Sequence, residues 1–126
     1  MTYEVFRQDC WPVYRRYSAA CSGSSTVGAA VAAAALKGLE ERWDAVLSSP
    51  SPAVTAWEFL VECTSSRRTA STQWVYRSLE RREADALLLR HKLGLSAHQG
   101  GEVMGLDSAE FTLLSRRALC KMTTQT

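Results

Sequence analysis

Apolar residues recur at helical spacing along most of the chain. Between residues 5 and 21, and again between residues 27 and 47, they return every three or four positions, which is the period of an amphipathic α-helix. No segment alternates apolar and polar residues in the manner of a half-buried strand. The pattern therefore predicts an all-α fold with about six or seven helices. The two stripes are Phe6, Cys10, Val13, Tyr14, Tyr17 and Cys21, and then Val27, Val31, Ala35, Leu39, Trp43, Val46 and Leu47.

Polar and proline-containing clusters indicate where the helices end. CSGSST and SSPSP interrupt the first half of the chain, and Pro12 is expected in a first helical turn or at a break. Ser51 and Pro52 are a favoured N-cap and first helical position. TSSRRTAST is the one credible linker. The expected domains are residues 1–68, a helical bundle, and residues 69–126, which end in a helix-turn-helix.

The stretch GLSAHQGGEVMGLDSAEF, residues 94–111, predicts that helix-turn-helix. The segment before it, from Gln73, fits one long helix that ends at Gly94. Two capping boxes and one hydrophobic staple then set the start and the exit angle of the two short helices. The caps are Ser96 with Gln99 and Asp107 with Glu110, and the staple is Leu106 with Phe111.

Composition narrows the possible functions. The 126 residues carry a net charge of +2, far from the basic excess that is typical of a strong nucleic-acid binder. There is no apolar run of about 18 residues for a membrane span and no signal peptide, so a cytoplasmic protein is expected. The four cysteines are scattered without a CxxC pair, so neither a metal nor a cofactor is expected. No nucleophile–base spacing stands out, and we do not expect an enzyme.

The second half, SLERREADALLLRHKLGLSAHQGGEVMGLDSAEFTLLSRRAL, resembles region 4 of a bacterial sigma factor of the extracytoplasmic-function (ECF) type. WPVYRRYSAACSG and TAWEFLVECTSSRRT are similar to parts of sigma region 2. The resemblance implies a region 2-like helical bundle followed by a region 4-like helix-turn-helix. The matching residues of region 4 are Arg82, Leu87, Leu88, Leu89, Arg90, Gly94, Leu95, Ser96, Glu102, Val103, Met104, Gly105 and Leu106.

Partners follow from the same resemblance. It implies that the chain binds promoter DNA, and that it binds RNA polymerase core or another transcription protein. On the recognition helix, base and backbone contacts would fall to Thr112, Arg116 and Arg117, with Ser108 and Lys121 at the phosphates.

Several residues depart from the family pattern. VGAAVAAAALKGL replaces the acidic, glutamine-containing stretch that docks on the polymerase. Gly100 stands where a bulky apolar residue normally packs. The absence of that buried side chain costs roughly 2–5 kcal/mol of stability unless neighbours refill the space. Asp107 and Glu110 repel phosphate, although both suit a helix N-terminus.

Two functions therefore stay open. The leading hypothesis is a divergent sigma-factor-like transcription regulator that acts through promoter DNA, RNA polymerase or both. The alternative is a sigma-like protein-interaction module that has lost DNA and polymerase binding. Leu113 and Leu114 would then contact a protein partner together with the alanine-rich helix, because one helix face cannot bury both leucines beside Phe111 and Leu119.

Overall fold

The computed structural model describes residues 1–124, which form eight α-helices and no strand. The all-α class predicted from the hydrophobic pattern is confirmed. A 3₁₀ turn follows the fourth helix, and a π-helical turn follows the sixth. The helices are α1 (Tyr3–Ser22), α2 (Ser25–Glu41), α3 (Trp43–Ser48), α4 (Pro52–Thr64), α5 (Ala70–Ser78), α6 (Arg81–Leu87), α7 (Ala97–Met104) and α8 (Ser108–Thr124).

The alanine-rich helix α2 packs very closely on α1. A Cβ added at Gly28 would lie 2.4 Å from the backbone of Ala19, so only glycine permits this approach. The small side chains of α2 thus serve the close helix–helix contact that the alanine run predicts. Ala30, Ala33 and Ala34 remain on its outer, exposed side.

One core joins the two predicted halves of the chain. Trp57 from α4, Leu89 from the π-helical turn and Phe111 from α8 are buried in the same cluster. Trp57 is a core residue, since its exposed fraction is 2%. The boundary between residues 68 and 69 stays a prediction, but the segments on its two sides share their interior.

Two local predictions were wrong. Residues 73–94 do not form one helix, because Leu79 and Glu80 are extended and Glu80 is the N-cap of α6. Glu80 and Glu83 form a capping box there, which satisfies backbone N–H groups that a continuous helix would have used internally. Pro12 neither opens nor breaks a helix but lies inside α1.

A buried carboxylate links four helices. Asp85 of α6 accepts hydrogen bonds from the Trp57 indole N–H of α4, at 3.0 Å, and from the Tyr76 hydroxyl of α5. Tyr17 of α1 lies 2.6 Å, oxygen to oxygen, from the Tyr76 hydroxyl. Because the only proton of that hydroxyl goes to Asp85, Tyr17 must be the donor. Tyr17, Trp57, Tyr76 and Asp85 are called the Asp85 hub below.

Burial and hydrogen bonding have opposite effects on the pKa of Asp85. Burial raises the pKa of Asp85, whereas hydrogen bonds from Tyr76 and Trp57 and the charges of Arg81 and Arg68 lower it; the net shift is upward. The Arg68 guanidinium lies 3.7 Å from the centre of the Tyr76 ring. A cation over this ring holds it in place against the carboxylate.

Further hydrogen bonds cross between the halves. Arg16 of α1 donates to the Leu93 carbonyl at 2.6 Å, at the end of the π-helical turn. The Thr69 N–H donates to the Cys21 carbonyl at 2.8 Å. The Thr69 bond holds the start of α5 on α1, and the Arg16 bond holds the corner before α7 on α1. No helix in residues 1–124 is long and apolar enough to span a membrane.

The hub predicts unequal effects of two identical changes. Tyr76→Phe removes one of the two donors to Asp85 and the acceptor of the Tyr17 hydroxyl, and we expect it to lower the free energy of unfolding by about 3 kcal/mol. Tyr17→Phe removes only the terminal donor, so a loss of about 1 kcal/mol is expected. Urea denaturation of both variants measures the difference. Equal losses would contradict the donor order given above.

Candidate interaction surface on the last helix

The helix-turn-helix forms as its caps predict. The Gln99 N–H donates to Ser96 Oγ at 3.1 Å, and the Glu110 N–H donates to Asp107 Oδ1 at 2.8 Å. Both boxes are closed by the reciprocal bonds. Gly105 adopts a left-handed φ of 77° in the turn, a conformation that L side chains rarely adopt. The capping predictions are confirmed.

Phe111 occupies the space that Gly100 leaves. A Cβ added at Gly100 would lie 2.2 Å from the tip of the Phe111 ring, and Phe111 is fully buried. The bulky apolar group is thus supplied by α8 instead of α7. Gly101 similarly allows close approach to the Leu106 carbonyl. The two glycines are packing features of this helix-turn-helix and do not leave a hole in it.

Helix α8 has a clearly divided surface. Phe111, Ser115 and Ala118 face the interior. Leu113 lies on the opposite side and is 51% exposed, and Leu119 lies on the flank of the helix and is 44% exposed. These two are among the few large exposed apolar residues of the described chain, and Arg116 lies between them in the sequence.

The two leucines predicted as partner contacts differ in position. Leu113 is exposed, whereas Leu114 is half-buried and packs against the main core. The helix therefore resolves the crowding of its apolar residues by exposing Leu113 and Leu119. Of the two predicted contacts, Leu113 is the one with an accessible side chain.

The residues predicted to contact DNA are spread around α8. Ser108, Arg116 and Arg117 are exposed, and Thr112 is half-buried. Lys121 is engaged elsewhere, because its ammonium donates to both oxygens of Glu83 at 2.8 and 2.9 Å. It joins the end of α8 to the start of α6, so its charge is already neutralised within the fold.

Glu83 is the buried member of this ion pair. Its side chain is only 2% exposed. Burial by itself raises the pKa of Glu83, but hydrogen bonds from Lys121 and from the Glu80 N–H outweigh this and lower it. A carboxylate that is nearly inaccessible to water depends on such donors to remain charged.

A groove of about 320 Å³ runs beside the exposed side of α8. Its walls come from the π-helical turn, the start of α7 and the middle of α8, and none of its lining residues is acidic. Arg90 lies on one wall and donates to the Leu95 carbonyl at 3.2 Å. The lining of this α7–α8 groove is Arg90, His91, Ser96, Ala97, Thr112, Ser115, Arg116 and Leu119.

Sequence reasoning missed the opposite wall of the groove. The predicted single helix over residues 73–94 gave no reason to bring Arg90 and Leu119 into one groove. The signal in the sequence was the Gly94-Leu95-Ser96 corner, which reverses the chain and brings residues 90 and 91 beside α8. Among residues 1–124, no cluster of His, Cys, Asp and Glu could hold a metal ion.

No model of a known protein family matches this chain, and no curated protein matches it. Among solved structures, its fold is similar to a chain in the co-crystal structure of the anti-anti-sigma factor PhyR complexed with the anti-sigma factor NepR from Bartonella quintana. The TM-score is 0.57 at 19% sequence identity, and 98% of this chain is covered. The match covers 51% of the other chain, so the present protein spans about half its length. At this identity the likeness shows the fold alone.

The expected membership of the ECF sigma factors is wrong. No such family model matches the chain, and the solved structure it resembles is that of an anti-anti-sigma factor with its anti-sigma partner. The matching residues included caps, the Gly105 turn and buried leucines, all of which determine the helical scaffold. They do not report the surface chemistry on which polymerase and promoter binding depend.

The Gly100–Phe111 contact predicts that an alanine at position 100 will destabilise the protein although alanine has the higher helix propensity. Gly100→Ala gains roughly 1 kcal/mol of propensity, but the clash with the ring should leave the variant about 1–3 kcal/mol less stable overall. Thermal or urea unfolding measures this. In a Phe111→Leu background the ring tip is absent, and the same substitution should be neutral or stabilising. A similar loss in both backgrounds would contradict the contact.

The Lys121–Glu83 pair predicts a pH-dependent stability difference. Lys121→Met leaves the buried carboxylate short of donors and should lower stability at neutral pH by about 1–3 kcal/mol. The fold lowers the pKa of Glu83 below its ordinary value of 4.5. The stabilisation by Lys121 is therefore fully present at pH values above 4.5, and it disappears as the pH falls through the lowered pKa of the folded protein. Unfolding of wild type and variant across acidic pH measures the convergence. Arg116→Met, on the exposed side, should change stability by less than about 0.5 kcal/mol.

Proposed function

We propose that this chain is a sigma-like protein-interaction module that binds a protein partner through the exposed side of α8. Its class of action would be that named for PhyR: it binds an anti-sigma-type regulatory protein and so acts on transcription indirectly. The carrying observation is the fold match to an anti-anti-sigma factor in complex with its anti-sigma partner, over nearly the whole of this chain.

The exposed side of α8 supports this choice. Leu113 and Leu119 present apolar area where a DNA-reading helix would present polar groups. Apolar side chains exposed on a stable helix are typical of protein–protein contacts. Of the predicted phosphate contacts, Lys121 is bound to Glu83, which leaves Arg116 and Arg117 as the cations of the described helix that form no salt bridge. The proposal keeps the expectations of a cytoplasmic protein without enzymatic activity.

DNA binding is the competing function. Arg116 and Arg117 are exposed on the helix that would read the major groove. However, Asp107 and Glu110 lie at the start of this helix and would face phosphate. A duplex-binding protein needs several cations to neutralise phosphates, and its affinity falls steeply with salt.

A site-specific crosslink tests the proposal. A photoreactive residue replaces Leu113 in one variant and Leu47 in a second, since Leu47 is also an exposed leucine but lies on α3. We expect a crosslinked protein from the native cytosol only at position 113. The identified protein is then purified, and its binding to this chain is measured by calorimetry.

Substitutions in the purified pair decide the outcome. Leu113→Glu should weaken binding at least about tenfold, which corresponds to about 1.4 kcal/mol, while Leu47→Glu should leave it unchanged. A partner that is itself bound by a sigma factor, and released from it by this chain, would establish the proposed class. Tight, salt-sensitive binding of duplex DNA together with an unaffected Leu113→Glu variant would overturn the proposal.

A further inference from the structure

We propose that the α7–α8 groove receives an acidic amphipathic helix of the partner protein. This inference rests on the proposed function and specifies the chemistry of the bound segment. The groove has an arginine on each wall and an exposed leucine, Leu119, on the α8 wall, and such a helix offers a counterpart to both kinds of residue.

The charged residues that line the groove are all positive. Arg90 and Arg116 lie on opposite walls, His91 adds an imidazole, and no carboxylate is among the lining residues. The acidic residues of the same helix, Asp107 and Glu110, are held in their own capping box at its start. Glu110 precedes Arg116 by six residues, which is about 9 Å along a helix. A carboxylate entering the groove therefore meets guanidinium groups first.

The apolar part of the surface has helical spacing. Leu113, Arg116 and Leu119 follow one another at intervals of three residues, so each neighbours the next on the surface of α8. From Leu113 to Leu119 this row turns about 120° around the helix, and only Leu119 of the two leucines lines the groove. The two leucines are separated by about 9 Å along the axis. An amphipathic helix with leucine-like residues at i, i+3 and i+7 can cover both of them. Its flanking carboxylates can then bind the guanidinium groups of Arg90 and Arg116 in bidentate fashion.

An acidic helix satisfies this surface better than DNA does. A duplex could use the arginines, but it would bury the two leucines against sugar and phosphate with almost no apolar gain, since only the thymine methyl offers such a contact. An acidic helix pairs with the cations and removes the leucines from water at the same time. The groove also holds one half-buried hydroxyl, Thr112, which suits a carboxylate or a backbone carbonyl.

Two synthetic peptides test the inference on the full chain. Both are about 20 residues long, enough for a helix to form, and share one leucine stripe; one has flanking glutamates and the other flanking lysines. Each is titrated into isotopically labelled protein at low and at high salt, with amide chemical shifts as the readout. The glutamate peptide should bind with shifts confined to residues 90–97 and 112–119. The lysine peptide should bind at least about tenfold more weakly.

Charge-swapped variants make the test specific. His91→Glu combined with Arg116→Glu should weaken the glutamate peptide and strengthen the lysine peptide, each by at least about tenfold. Arg90 is left in place because it donates to the Leu95 carbonyl. Arg15→Glu combined with Lys37→Glu is the matched control, since both residues are exposed on α1 and α2 and the net charge falls in the same sense. This control should leave both affinities within about twofold of the affinities for the wild-type chain.

The possible outcomes separate the two proposals. Equal binding of both peptides, shifts outside the groove, or failure of the charge swap would overturn the acidic-helix inference. So would a DNA duplex that displaces the glutamate peptide from the groove. If the crosslinked partner binds in a Leu113-dependent way while the glutamate peptide does not bind, only this inference falls and the proposed function stands.

Discussion

The arrangement of the whole molecule depends on one buried carboxylate. Asp85 accepts hydrogen bonds from Trp57 and Tyr76, and Tyr76 accepts one from Tyr17, so α1, α4, α5 and α6 meet at one polar centre. A buried, hydrogen-bonded charge of this kind is costly to form, but it accepts only one arrangement of its donors. An apolar core alone would tolerate sliding between the helices. The hub therefore defines where α6, and with it the helix-turn-helix, sits on the bundle.

The interaction surface follows from that placement. The Arg16 bond to the Leu93 carbonyl fixes the corner from which α7 departs, and the Lys121–Glu83 pair fixes the far end of α8. Between these two points, α8 exposes Arg116 and Leu119 along the groove and Leu113 next to it. The scaffold of a helix-turn-helix is thus kept, while the chemistry on its outer side favours protein over nucleic acid. Retention of a fold with a changed site is a common outcome, since function resides in the surface residues.

Local features of the fold could be predicted from the sequence, and distant contacts could not. The capping boxes and the Gly105 turn involve residues only a few positions apart, so their spacing is visible in the chain. The break at Leu79 was missed because glutamate is an uncommon N-cap, and the Glu80–Glu83 box did not stand out. The Asp85 hub and the engagement of Lys121 join residues far apart in sequence. The resemblance to ECF sigma factors was misleading for a related reason: its residues specify the scaffold that several kinds of regulator can share.

The exchange of volume between Gly100 and Phe111 has a consequence for the history of this sequence. A side chain at 100 clashes with the ring, and a small residue at 111 leaves the glycine uncovered. Neither residue can be altered alone without loss, so the two are strongly epistatic. A lineage that acquired one must have acquired the other nearly together, or passed through a destabilised ancestor.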